Sequence, residues 1–170
     1  MKSIALIGFM ACGKSTLGRI LAHEMNYSFI DTDAQVEKKE GRKISEIFDS
    51  DGEDYFRRIE SDTLRECSSR KRAVLSTGGG IVARPENIAI LKENSFVVFL
   101  DVPFDILAER ATGSGRPLFR DRDAAFQLWK KRYELYRSTA DMVYDKSNEI
   151  ILKSARHIMS AYYNKMKKYK

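Results

Sequence analysis

The sequence predicts an α/β fold, three layers α/β/α with a parallel sheet in the middle. Three observations predict it. Five short runs, Ile4–Ile7, Phe29–Ile30, Ala73–Ser76, Phe96–Leu100 and Met142–Tyr144, are mainly apolar and rich in Val, Ile, Leu and Phe. Strands buried on both faces read this way, whereas half-exposed strands alternate. Helical segments lie between the runs, which gives the β-α-β-α order of a sheet covered on both sides. Residues 8–15 read Gly8-Phe9-Met10-Ala11-Cys12-Gly13-Lys14-Ser15. That is the G-x-x-x-x-G-K-[ST] pattern of a phosphate-binding loop, and it stands between a strand and a helix as the pattern requires.

A chain of 170 residues, 43% hydrophobic and 32% charged, suits one domain with a sizeable core. We read 1–170 as that domain. No apolar run is long enough to cross a membrane, and Met1-Lys2-Ser3 leads directly into the first strand with no signal-peptide pattern. Cys12 and Cys67 make no disulfide framework, so a cytoplasmic protein is expected. The net charge of +6 is spread along the chain, apart from the tail Lys165, Lys167, Lys168 and Lys170. No recognition motif accompanies it, so nucleic acid is not an expected partner. Anionic small-molecule substrates account for it equally well.

In the loop at 8–15, backbone N–H groups and the positive end of the next helix surround a polyphosphate. That helix shows Leu17, Ile20 and Leu21 on one face. Ala11, Cys12, Gly13, Lys14, Ser15 and Thr16 are the expected nucleotide contacts. Lys14 reaches the β- and γ-phosphates and the Ser15 hydroxyl ligates Mg²⁺. Cys12, just before a helix N-terminus, is expected to be a reactive thiol that ATP protects.

Asp31-Thr32-Asp33 closes the second strand, at the sheet edge where ligands of open α/β sheets bind. One carboxylate would help hold Mg²⁺ through water, and the other would accept a proton from an attacking hydroxyl. The competing reading makes Asp33 a helix N-cap. From Asp33 to about Arg70 runs a helical insert with breaks at Gly41 and Gly52.

Within the insert, Phe56, Ile59, Thr63, Leu64 and Cys67 share a helix face, at about 100° per residue. Glu60 falls inside that face and Arg57 at its edge. A buried Glu needs a partner. Arg57 either grips an anionic ligand, braced by Glu60, or is spent in a structural ion pair.

Thr77-Gly78-Gly79-Gly80 ends the third strand, and the glycines are expected to permit positive φ or close approach to a ligand. Arg110 closes the helix before a polar stretch from Thr112 to Asp123, where its guanidinium could stack on adenine. That stretch reads as a lid, and Arg116 beside Pro117 could neutralise transition-state charge on the phosphates. In the helix from about Ala124 to Thr139, Ala125, Leu128, Trp129, Tyr133 and Tyr136 form an apolar stripe with Arg132 in its middle. A guanidinium there either grips a carboxylate or phosphate or snorkels outward. His23 and His157 lack metal-ligand spacing and read as structural or surface residues.

Taken together, these motifs resemble the shikimate kinase family, in order and spacing, over nearly the whole chain. The motifs are the phosphate loop through Thr16, Asp31-Thr32-Asp33, Phe56-Arg57-Arg58-Ile59-Glu60, Gly78-Gly79-Gly80, Arg116-Pro117-Leu118, and Arg132 ahead of Leu135-Tyr136. The resemblance implies a P-loop kinase fold with a five-stranded parallel sheet, a substrate-binding insert at about 33–61 and a lid at about 112–123. It implies ATP-dependent phosphorylation of the shikimate 3-hydroxyl, in chorismate and aromatic amino-acid biosynthesis. By the same resemblance Asp33 binds substrate hydroxyls and is the candidate base. Arg57 and Arg132 hold the shikimate carboxylate, and Gly79 and Gly80 contact ring substituents. Lys14 and Arg116 stabilise the transferring phosphoryl group. Ser15 ligates Mg²⁺ with Asp31 behind a water, and Phe48 and Phe56 line the pocket. A monomer is expected. Two positions depart from the family: Ala11 stands where glycine is usual, and the loop at 144–149 lacks a proline often found there. A gluconate kinase is the competing small-molecule kinase. A GTPase is disfavoured because no Asn-Lys-x-Asp motif is present.

Overall fold

A computed structural model describes residues 2–111, 119, 121–146 and 150–167. Its strands are β1 (Ser3–Ile7), β2 (Ser28–Asp31), β3 (Ala73–Ser76), β4 (Ser95–Asp101) and β5 (Met142–Asp145). Its helices are α1 (Lys14–Met25), α2 (Thr32–Glu40), α3 (Ile44–Ser68), α4 (Pro85–Asn94), α5 (Phe104–Ala111), α6 (Arg122–Thr139) and α7 (Ile151–Lys167), with a short 3₁₀ turn at Ile81–Ala83. All five strands pair in parallel, in the order β2-β3-β1-β4-β5. Each expected strand is present; β3 keeps the expected bounds and the other four are longer by a residue or two.

The sheet order explains where a ligand can sit. The chain leaves central β1 for β2 on one side, returns through β3 between them, then crosses to β4 and β5 on the other. The order therefore reverses about β1, and the crevice opens at its carboxyl end. The loop at 8–15 leaves β1 at that point. Ile4 to Ile7 are wholly buried, with Leu75, Val97 and Val98 beside them. Helices cover both faces, as they must when neither face alternates.

The insert forms α2 and α3. Gly41 ends α2 at φ 68 and Gly52 breaks α3 at φ 81, the two interruptions expected from the sequence. Val36, Ile47 and Phe56 form a small core of their own there, separate from the main one. This satellite core ties α2 to α3 and fixes the helix that carries Arg57. The expected lid, with Arg116, lies largely outside the described residues.

Candidate active site

The phosphate loop has its geometry built in. Gly8 takes φ 143 and Gly13 φ 90, conformations that exclude most side chains. Ala11, at φ 64, occupies the left-handed region without being glycine. Gly13 precedes α1 and no side chain caps that helix, so its first N–H groups face the loop concavity. Lys14 is buried, and its Nζ donates to the carbonyls of Gly8 at 2.8 Å and Phe9 at 3.0 Å. Cys12 is wholly buried in the main core. Its thiol packs so close to Gly8 that a Cβ there would lie 3.1 Å from Sγ. A sealed thiol is not the reactive group expected from its place before a helix, because a reagent cannot reach it.

Asp31 and Asp33 divide their work. Asp31 ends β2 and is the N-cap of α2, its Oδ1 accepting from the N–H groups of Asp33 and Ala34. Its other oxygen accepts from Ser15 Oγ at 2.8 Å, and Ser15 Oγ lies 3.0 Å from Ser76 Oγ. The alternative that Asp33 is the cap is thereby corrected: Asp33 lies in the first turn of α2 with its carboxylate free for the crevice. Burial, then Asp31, then Glu60 push its pKa up from 3.8 to about 6, against the pull of Lys14 and Arg57.

Arg57 is held from two sides. Its Nη1 donates to Glu60 at 2.8 Å, while Nε and Nη2 reach Glu53 at 3.1 and 3.0 Å. Glu60 is almost wholly buried; burial pushes its carboxyl up, opposed by Arg57, Arg132 and Arg84. Both readings of Arg57 therefore hold in part: it is ion-paired, and it also lines a cavity. Arg132 does not snorkel outward. Its Nη1 donates to the Gly79 carbonyl at 3.2 Å from α6, on the wall of the same cavity.

Gly78 and Gly80 are explained by space, and the expected positive φ is absent: none of the three glycines at 78–80 has it, and Gly80 sits at φ −96. A Cβ on Gly78 would lie 2.6 Å from Asp33 Oδ1, and one on Gly80 would lie 2.2 Å from Arg57 Nη1. The missing side chains make room for the carboxylate and the guanidinium.

Two cavities result. One, about 320 Å³, is lined by the phosphate loop, Ser15, Thr16, Asp31 and Arg110. The other, about 580 Å³, is lined by Arg57, Glu60, Arg132, Phe48 and Phe56. Met10, Asp33 and Gly79 belong to both walls. The geometry thus joins a polyphosphate cradle to an arginine-walled pocket through one carboxylate.

A family model described as shikimate kinase matches residues 10–163. The chain belongs to the shikimate kinase family. A shikimate kinase of Clostridium beijerinckii is 43% identical over 148 residues, covering 86% of this chain and 87% of that one. The solved structure of a shikimate kinase from Acinetobacter baumannii in complex with shikimate superposes with a TM-score of 0.91 at 33% identity, covering 97% of this chain and 94% of that one. A gluconokinase from Sinorhizobium meliloti, 20% identical with a TM-score of 0.60 over 96% of this chain and 97% of that one, shares the fold alone. For a shikimate kinase, the arrangement of two cavities around Asp33 is the feature to explain.

Sequence reasoning missed several residues in and around the site. Tyr136, read as part of an apolar stripe, is buried and donates its hydroxyl to the Gly79 carbonyl, which Arg132 also binds. Met10 lies inside the loop motif yet faces both cavities. Lys146, one residue past β5, is buried against the phosphate loop. No periodicity could have flagged it.

Proposed function

We propose that the smaller cavity takes the ATP phosphates and the larger one takes shikimate, with Asp33 at their junction. The protein transfers the γ-phosphoryl group of ATP to the 3-hydroxyl of shikimate, a step of aromatic amino-acid biosynthesis. The observation that carries the assignment of sites is the shared wall: Asp33 faces both cavities. Arg57 and Arg132 grip the substrate carboxylate with charge-assisted bonds. That fixes the ring, and the backbone of Gly79 and Gly80 meets its substituents. The hydroxyl oxygen then attacks the γ-phosphorus as the bond to ADP breaks, and its proton passes to Asp33. A carboxyl with a pKa near 6 is a stronger base than an ordinary aspartate and still mostly ionised at neutral pH. Lys14, with Arg116 from the lid at about 112–123, balances charge on the transferring group. Arg110 serves the nucleotide side.

Mg²⁺ fits the donor set. Ser15 Oγ, an Asp31 oxygen and Ser76 Oγ gather hard oxygen donors beside the phosphate cavity. Among the described residues no group of three or more His, Cys, Asp or Glu side chains could hold a metal. Ser15 would therefore share the ion with the nucleotide, with Asp31 behind a water. Bound there, Mg²⁺ would neutralise phosphate charge. We also infer a cytoplasmic monomer; no described helix is long and apolar enough to cross a membrane.

A coupled ADP-release assay with a panel of hydroxy acids tests the substrate assignment. Turnover with shikimate alone is expected, and turnover with gluconate but not shikimate would refute it.

A further inference from the structure

We propose that Lys146 is a positioning residue for the phosphate loop, acting on the nucleotide's phosphates from behind the loop. The inference rests on the reading of that loop as the phosphate cradle. Lys146 follows β5, and its backbone N–H donates to the Asp101 carbonyl at the end of β4, which pins it at the crevice edge. Its side chain is buried and turns toward the loop, where Nζ donates to the Cys12 carbonyl at 3.4 Å. It also presses on Gly13: a Cβ at that residue would lie 2.5 Å from Nζ. Gly13 is therefore constrained twice, by φ 90 and by a lysine where its side chain would be.

The chemistry follows from the peptide unit. Cys12 C=O and Gly13 N–H belong to one resonant amide. An ammonium on the carbonyl oxygen draws electron density toward it and makes the N–H on the other side a stronger donor. Gly13 lines the phosphate cavity and opens α1, so that N–H belongs to the set that meets the anion. Lys146 itself is not among the residues lining that cavity. Its effect reaches the ligand through the loop, and Lys14 remains the lysine that touches phosphate. Burial lowers the Lys146 pKa, Cys12 opposes that, and the nearby Arg110 adds to it. A buried cation at this point, held against those costs, fits a role toward a polyanion.

The test is calorimetric titration of the whole protein with ADP and, separately, with inorganic tripolyphosphate, together with steady-state kinetics. Lys146→Met keeps the length and removes the charge, Lys146→Gln keeps a donor, and Lys146→Arg keeps the charge. In the Met and Gln variants, affinity for ADP and for tripolyphosphate should fall by the same factor, about fivefold or more. KM for shikimate should stay unchanged, and the Arg variant should recover most of the loss. A loss for ADP without one for tripolyphosphate would place the action of Lys146 on the nucleoside and overturn the proposal. So would unchanged affinities, or a rise in the shikimate KM that tracks a lower melting temperature. If the unsubstituted protein bound neither ADP nor tripolyphosphate, the reading of the loop itself would fall, and the inference with it.

Discussion

Asp33→Asn should inactivate the enzyme and stabilise the fold. The substitution keeps the shape of the side chain and removes its charge. In the folded chain the Asp33 carboxyl titrates near 6, against 3.8 unperturbed. Because the folded value is the higher one, the native state holds the proton more tightly than the unfolded chain. Stability therefore falls as pH rises from about 3.8 to about 6, and the full penalty persists above that. At 1.36 kcal/mol per pKa unit the penalty at pH 8 is about 3 kcal/mol. At pH 5 it is about half of that, since the native carboxyl is then mostly protonated. For a chain of this size the gain at pH 8 corresponds to about 6–12 °C in Tm. Thermal melts of both proteins at pH 8 and pH 5, without ligands, measure it, and kcat should drop by about 10²–10⁴. An Asn variant less stable than the parent at pH 8, or equally stabilised at both pH values, would refute the argument that burial and two neighbouring carboxylates penalise this group.

Three further outcomes are expected. Arg132→Ala should raise KM for shikimate by the equivalent of about 2–5 kcal/mol while leaving KM for ATP nearly unchanged; a drop in Tm with both KM values intact would instead make Arg132 a structural clamp on Gly79. Ala11→Gly should raise stability by about 0.5–1 kcal/mol, since relief of about 1–2 kcal/mol of left-handed strain exceeds the added freedom of the unfolded glycine, and urea denaturation reads it directly. Both thiols are buried, so titration with a chromogenic disulfide should count almost none in the native enzyme and two after denaturation; rapid native modification of Cys12 would show that the loop opens.

The fold was legible because its evidence is local. Each strand is built on a short apolar run, and runs such as Val97–Val98 cannot alternate when both faces are covered. The breaks at Gly41 and Gly52 were legible for the same reason, since positive φ is a property of one residue. The order of the strands was not, because β3 enters between β1 and β2 through pairings distant in sequence.

In the site, sequence named the residues more surely than their reasons. Helix periodicity put Glu60 inside a buried face and Arg132 inside an apolar stripe, and both anomalies mark the larger cavity. Periodicity cannot say what lies opposite, so it left Arg57 divided between ligand and ion pair. The structure makes the two compatible, because a guanidinium fixed by Glu60 and Glu53 loses little further freedom when an anion arrives. The glycine triplet shows the same limit from the other side. Three glycines in a row point to positive φ or to a backbone that a ligand approaches closely. At Gly78 and Gly80 the actual role is an absence of volume, set by Asp33 and Arg57 from α2 and α3. That requirement exists only once the insert has folded over the end of β3. Gly78 leaves room for the Asp33 and Glu60 carboxylates and Gly80 for the Arg57 guanidinium, so a side chain at Gly78 should displace Asp33 and one at Gly80 should displace Arg57.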